Sequence, residues 1–239
     1  MSKTVALLMG GWSPEREVSL SSGRECAKAL ADHGYRVRPI EVRHDLPALL
    51  KAFDPRPDVI FNALHGVGGE DGTIQSVLEM LRIPYTHSGV LASAMAMHKP
   101  TAKTLFRAAG LPVADDVVAR PQDLLARDPM AVPFVIKPTN QGSTFGVRIV
   151  RIGDNAWREE VKAWSFGPEI LVERFIPGRE LTVAVMGERA LGVCEIIPRS
   201  SSFYEQIDRF ASPLSESLST CVELSPTKKA TTRMRICYA

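Results

Sequence analysis

The sequence predicts an α/β N-terminal domain built on an open parallel sheet, followed by an α+β domain with an antiparallel sheet. Three observations lead there. Short apolar runs alternate with helical segments through the first hundred residues, which is the grammar of strand, crossover and parallel strand. Beyond about residue 98 the β-type runs follow one another closely, and the first two read as a hairpin. With 239 residues, 45% hydrophobic and 23% charged, the chain is long enough to bury a core in each of two domains.

The elements follow in order. Val5 to Met9 is a β-type run ending in Gly10-Gly11, Ser19 to His33 has helical composition, and Gly34 supplies its stop. Val59 to Leu64 reads as a second buried strand; after a Gly-rich loop, Ile74, Val77, Leu78 and Leu81 recur at helical spacing, and Ile83-Pro84-Tyr85 returns to extended chain. In such a sheet the binding crevice forms at the carboxyl ends of the strands. Thr101 to Ala109 then reads as a helix stopped by Gly110. Pro133 to Lys137 and Val147 to Val150 read as paired strands around a polar loop. Further β-type runs cover Ile170 to Phe175, Leu181 to Met186 and Ala190 to Ile197, with a helix around Ala156 to Trp164. From Ala211 to Thr232, Ser and Thr fill nine of 22 positions with no sustained period, so a poorly ordered tail is expected there.

Composition narrows the function classes. Lys plus Arg total 29 against 27 for Asp plus Glu, and a net charge of +2 is too small for the broad positive field of a nucleic-acid binder. The opening apolar run is too short for a signal segment or a membrane span, so a soluble cytoplasmic protein is expected. Cys26, Cys194, Cys221 and Cys237 have neither C-x-x-C spacing nor a nearby His, which points to free thiols rather than a zinc site.

Four loops can carry chemistry. Gly10 to Ser19 is either a tight turn with Ser as a helix cap, or a crevice loop whose Glu15 receives a substrate ammonium. His65-Gly66-Val67-Gly68-Gly69-Glu70-Asp71-Gly72 matches neither G-x-G-x-x-G nor the P-loop pattern. It is either an ordinary mobile loop or a close backbone approach to a ligand, with Thr73 capping the next helix. Lys137 to Gly146 sets one Lys at a strand end before a Gly/Ser/Thr loop, which suits either a hairpin or a set of donors folding over a triphosphate. Ile170 to Val183 is either a hairpin or a linker whose backbone reads an adenine edge, with an acidic residue behind it for ribose hydroxyls.

Taken in order, Gly-Gly-x-Ser-x-Glu-x-x-Val-Ser at 10 to 19, His-Gly-x-Gly-Gly-Glu-Asp-Gly at 65 to 72, Met-x-Lys at 97 to 99, Lys-Pro-x-x-x-Gly-Ser-x-x-Gly at 137 to 146 and Glu-x-x-x-x-Gly-x-Glu-x-Thr-Val at 173 to 183 resemble the D-alanine:D-alanine ligases of the ATP-grasp superfamily. The resemblance covers about residues 1 to 204. It implies ATP-dependent joining of two D-alanines through an acylphosphate, for peptidoglycan precursors. It also implies magnesium or manganese, and a homodimer with no nucleic-acid or membrane partner. Carried over by motif, Glu15 anchors the ammonium of the first D-alanine and His65 lies beside the second. Lys99 and Lys137 hold phosphates, and Ser143 joins Glu15 in the catalytic network. Glu173, Arg174, Phe175 and Ile176 line the adenine pocket, and Glu180 takes the ribose.

The domains implied are a substrate-binding domain at 1–98, a central ATP-grasp subdomain at 99–180, the start of a C-terminal subdomain at 181–210 and an atypical tail at 211–239. Departures from the family pattern occur as well. His98 replaces the usual Asp of Met-Asp-Lys, and Phe203 to Phe210 stands where the family has Phe-Tyr-x-Tyr-x-x-Lys-Tyr. By the resemblance, Arg209 would take the place of the family's phosphate-binding Lys, while Phe210 lacks the Tyr hydroxyl. The family's later Arg-x-Asp-Phe and Glu-x-Asn-x-x-Pro-Gly segments, which hold the metal ions, have no counterpart between Ala211 and Ala239. The C-terminal part is therefore expected to be incomplete and to provide no metal ligands. Two functional expectations stand: a D-alanine:D-alanine ligase, or a non-catalytic remnant of one that binds nucleotide or amino acid. Another ATP-grasp enzyme explains the lysines but leaves the Glu15 and His65 loops unused.

Overall fold

The structure, a computed structural model, describes residues 2–196. The expectations for Ile197, the Phe203–Phe210 segment with Arg209, the 211–239 tail, Cys221 and Cys237 lie outside the described residues. One compact unit runs to Ala102 and includes Asn140–Gly142; the other takes Lys103–Thr139 and the chain from Ser143 onward.

The first unit is a three-stranded parallel sheet in the order β2-β1-β3, built from β1 (Thr4–Gly10), β2 (Arg36–Val42) and β3 (Val59–Asn62). Val5, Ala6, Leu7 and Leu8 of β1 are all buried, as a strand covered on both faces requires. One cluster joins Ala6, Leu8, Ile40, Val42 and Ile60 to Leu49 and Phe53, at α2 (Leu46–Ala52), and to Ile74 and Leu78 of α3 (Thr73–Leu81). The extended chain expected at 83–85 docks beside β3, where Ile60 N–H donates to Pro84 O at 2.8 Å and Thr86 N–H to Ile60 O at 3.1 Å.

The helix after β1 is α1 (Arg16–Asp32), one turn longer at its start than the helical composition alone indicates. Ser19 is therefore inside the helix and is not its cap. Fully buried, it accepts from Gly10 N–H at 2.8 Å and donates to Ala63 O at 2.6 Å, tying the ends of β1 and β3 together. Ser19 and Gly23 are the buried residues of α1, four apart on one face, so small side chains let the helix lie close on β1.

The unit continues with α4 (Val90–Met97) and the start of α5 (Lys99–Ala108), which opens two residues before the expected Thr101 and so carries Lys99 at its first turn. Five elements have too little local signal to be predicted: β2, α2, α4 and, in the second unit, β4 (Asp116–Ala119) and α6 (Pro121–Ala126). β2 alternates Arg and apolar residues around Pro39, and β4 is only four residues long.

The second unit holds an antiparallel sheet in the order β4-β7-β5-β6, with β5 (Phe134–Pro138), β6 (Arg148–Val150) and β7 (Ile170–Arg174). β5 and β6 form the expected hairpin. Phe134 and Ile136, Ile170 and Val172, Val150, Leu124 of α6, and Trp157 and Val161 of α7 (Trp157–Lys162) form its core on one face of the sheet. Because strand side chains alternate, Val135, Lys137 and Glu173 project from the other face. A separate two-stranded sheet pairs β8 (Glu180–Met186) with β9 (Arg189–Ile196). Residues 175–179 therefore link two sheets, and the hairpin alternative for Ile170 to Val183 does not hold.

A methyl group at Gly23 would fall 2.6 Å from Met9 Cβ. Replacing a mid-helix Gly by Ala favours the helix by about 1 kcal/mol, whereas overpacking a closed contact costs about 1–3 kcal/mol. Gly23→Ala is expected to lower the thermal midpoint in a calorimetric scan. A raised midpoint would mean that α1 moves off β1 at little cost.

Candidate functional site

In the first unit, the loops after β1 and β3 are laced at the strand ends where the parallel sheet predicts a crevice. Gly11 N–H donates to Val42 O at 2.9 Å, which holds the Glu15 loop against the end of β2. Ser13 Oγ donates to His65 O at 2.7 Å and accepts from Glu15 N–H at 3.2 Å, joining the two candidate loops through one hydroxyl. Glu15 is the residue before α1, where the helix dipole favours a carboxylate, and it is only 4% exposed. Its Oε2 packs so near Gly66 and Gly142 that a Cβ on either would lie 2.6 Å away. Glycine is needed at both positions, and at Gly66 the φ of +70° adds a second reason. Lys99 Nζ donates to the carbonyl of Gln141, the residue before Gly142.

The His65 loop is held from below and within. Asn62 Nδ2 and Gln75 Nε2, both buried, donate to the single carbonyl of Gly69 at 2.9 and 2.8 Å. Glu70 Oε2 accepts from Gly66 N–H at 2.7 Å, and Asp71 accepts from Gly68 N–H at 2.9 Å and Thr73 N–H at 3.0 Å. Asp71 thus serves the start of α3; Thr73 is its first helical residue and does not cap it. These contacts decide the loop's chemistry. Two of its amides are already claimed by carboxylates, so it is no phosphate cradle of the glycine-loop kind, and its acidic groups suit a cation such as an ammonium. His65 Nδ1 lies 3.6 Å from Glu70 Oε1, and its Nε2 lies 3.3 Å from Ser22 Oγ. His87 adjoins this group with a φ of +87°, uncommon for a residue bearing a Cβ. Partial desolvation lowers its imidazole pKa, opposed by Glu70 and reinforced by His65.

In the second unit the charged face of the antiparallel sheet carries a lysine pair around one carboxylate. Glu173, its side chain 13% exposed, meets Lys103 Nζ at 2.6 Å through Oε1 and Lys137 Nζ through Oε2. Lys103 also donates to Ala114 O at 2.8 Å and lies 3.3 Å from Asp116, which is paired in turn with Arg107. Burial opposes ionisation of Glu173, but Lys137 and Lys103 outweigh it and hold the carboxyl below the usual carboxylate range.

Among the other expected site residues, Arg174 reaches outward to Asp115 at 2.8 Å, and Phe175 has Arg151 over its ring at 5.4 Å. Ile176 lies in the inter-sheet linker. Glu180 begins β8 opposite Ile196, in a different sheet from Lys137. Ser143 has a φ of +54°, and its buried hydroxyl has no hydrogen-bond partner among the described residues. Lys103 and Asp116 were not anticipated. A Lys inside a helix and an Asp opening a four-residue strand look like solvent-facing charges until the sheet brings them to Glu173. Among the described residues, no group of three or more His, Cys, Asp or Glu is arranged to hold a metal ion. No described helix is long and apolar enough to cross a membrane.

The depressed pKa of Glu173 has a pH consequence. A carboxylate stabilised by folding contributes fully above its unfolded pKa and loses that contribution as pH falls through its folded value. Glu173→Gln is therefore expected to be less stable than the native chain at neutral pH, with the gap closing in the acid range below the ordinary Glu pKa. Urea melts across that range that keep a constant gap would contradict it.

The sequence model of the D-ala D-ala ligase C-terminus matches residues 105–234, beyond the last of the motifs quoted above, and that of the N-terminus matches 47–88. A D-alanine–D-alanine ligase of Chelativorans sp. is 54% identical over 211 residues, covering 87% of this chain and 68% of that protein. One from Parvibaculum lavamentivorans is 56% identical over 207 residues, covering 85% and 66%. The chain thus spans about two thirds of the length of these curated relatives. The crystal structure of the Bacillus anthracis D-alanine–D-alanine ligase superimposes with a TM-score of 0.69 at 30% identity, covering 81% of this chain and 64% of that one. The same ligase complexed with ATP gives 0.68 at 28%, covering 84% and 68%. Parallel-sheet unit, antiparallel lysine-bearing unit and identity above one half over most of the sequence lead to one conclusion: the chain belongs to the D-alanine–D-alanine ligase family.

Proposed function

We propose that this chain works as an ATP-dependent ligase that joins two D-alanines, in the cytoplasm, to make peptidoglycan precursors. In this reading ATP phosphorylates the carboxylate of one D-alanine, leaving ADP. The amine of the second attacks the acylphosphate carbonyl, the peptide bond forms, and phosphate departs. Phosphorylation turns a poor leaving group into a good one, and the protein contributes position and electrostatics. The partners are small molecules and a second copy of the chain, with no role for nucleic acid or a lipid surface.

The observation that carries the proposal is the opposite chemistry of the two motif sets. The first unit offers Glu15 and an acidic glycine loop, suited to an amino acid's ammonium; the second offers Lys137 beside a Gly/Ser/Thr loop, suited to phosphate. Glu15 is assigned the ammonium of the first D-alanine and His65 the neighbourhood of the second. Lys99 and Lys137 are assigned phosphates, Glu173 to Ile176 the adenine, Glu180 the ribose, and Arg209 a phosphate oxygen. Ser143 has the role of a hydrogen-bond donor in the Glu15 network, for which its buried, unsatisfied hydroxyl is suited.

The test is phosphate release from ATP, with and without D-alanine, in the full chain and in Lys137→Ala. D-alanine-dependent release in the native chain, lost in the variant, is expected. No release above the variant would remove the ligase reading and leave the non-catalytic one, and release that ignores D-alanine would make the chain an ATPase and remove both. Glu15→Gln removes a charge-assisted hydrogen bond of about 1.5–3 kcal/mol, so the D-alanine KM is expected to rise about 10- to 100-fold at 1.4 kcal/mol per decade. An unchanged KM would take Glu15 out of the substrate site.

A further inference from the structure

We infer that Lys103 is a positioning residue for nucleotide binding: by holding one oxygen of Glu173, it keeps the charge of Lys137 available to phosphate. The inference rests on the proposed phosphate role of Lys137. The Lys103 ammonium is enclosed by protein oxygens: it donates to Glu173 Oε1 (2.6 Å) and Ala114 O (2.8 Å) and is ion-paired with Asp116 Oδ1 (3.3 Å), and its side chain is 8% exposed. A lysine so enclosed does not reach a ligand. Lys137, on the other oxygen of the same carboxylate, has a side chain 22% exposed and stands at the end of β5, where the Gly/Ser/Thr loop begins.

The charge count gives the mechanism. Three cations (Lys103, Arg107 and Lys137) share two carboxylates (Asp116 and Glu173), so the cluster has one positive charge in excess, and its most accessible lysine is Lys137. Arg107, its side chain 45% exposed, is committed to Asp116. Remove Lys103, and Glu173 becomes the counter-ion of Lys137 alone. In a partly buried setting, where water and salt screen weakly, that pairing competes directly with a phosphate for the Lys137 ammonium. Neutralising Glu173 as well removes the competitor, so the two changes compensate.

Calorimetric titration of the full chain with ATP and with adenosine tests this in Lys103→Met, in Glu173→Gln, in the double variant and in Lys137→Met. Lys103→Met is expected to weaken ATP about tenfold, on the scale of one charge-assisted contact, and to leave adenosine unchanged. The double variant is expected to recover most of that loss, which a purely structural role for Lys103 would not allow. If Lys103→Met does not fold, Glu173→Gln alone decides: freeing both lysines is expected to tighten ATP relative to adenosine, and weaker ATP binding overturns the inference. Equal loss of ATP and adenosine in Lys103→Met, unchanged ATP affinity, or a double variant as weak as the single one also overturns it. Those failures, with Lys137→Met still impaired for ATP, leave the phosphate reading of Lys137 intact; an unimpaired Lys137→Met removes both.

Discussion

The antiparallel register of β5 against β7 is the constraint on which the charged site depends. Val135 stands opposite Glu173 and Lys137 opposite Leu171, so period-two alternation sends Phe134, Ile136, Ile170 and Val172 to the dry face and sets Lys137 and Glu173 on the other. A slip of one residue would bury a lysine among Trp157, Val161 and Leu124 and expose the core. The hydrophobic face therefore positions the charges, because no cheaper register exists. Once there, Glu173 needs partners: a carboxylate taken out of water without them would protonate or force the site open. Lys103 and Lys137 meet that need from a helix and a strand that are 34 positions apart in numbering but converge on two oxygens.

The parallel-sheet unit solves a different problem. Strand ends leave backbone groups unpaired, and three parallel strands ending side by side leave several together. Here serine hydroxyls and short carboxylates take them up: Ser19 between Gly10 and Ala63, Ser13 between Glu15 and His65, Glu70 and Asp71 on the glycine loop. The same groups that satisfy the backbone give the loops their sign. Satisfaction of amides by acidic side chains suits these loops to an ammonium rather than to a phosphate.

Family membership rests on both units, with identity above one half across most of the chain, while the chain spans about two thirds of its curated relatives. What the fold adds is the way the motifs are made. Gly66 and Gly142 are glycines because Glu15 occupies the space a Cβ would take, which gives a steric reason for two motif positions. Ser143 has a buried hydroxyl with capacity to spare, in a backbone conformation that side chains seldom adopt.

Much of this was legible in the amino-acid sequence because the signals are local. Apolar runs at 5–9, 59–62, 134–136 and 170–172 announce strands wherever they fall, and glycine, serine and acidic residues behind a buried strand announce a crevice loop. Motif order was enough to indicate the family. The sequence by itself could not separate a hairpin from an inter-sheet linker at 175–179, since both require two β-type runs and a turn, and only sheet membership tells them apart. Nor could it show Ser19 as a stitch between strands, or Lys103 and Asp116 as companions of Glu173. Their roles come from pairing across long stretches of chain, and a charged residue carries no local mark of the partner that tertiary folding will bring to it.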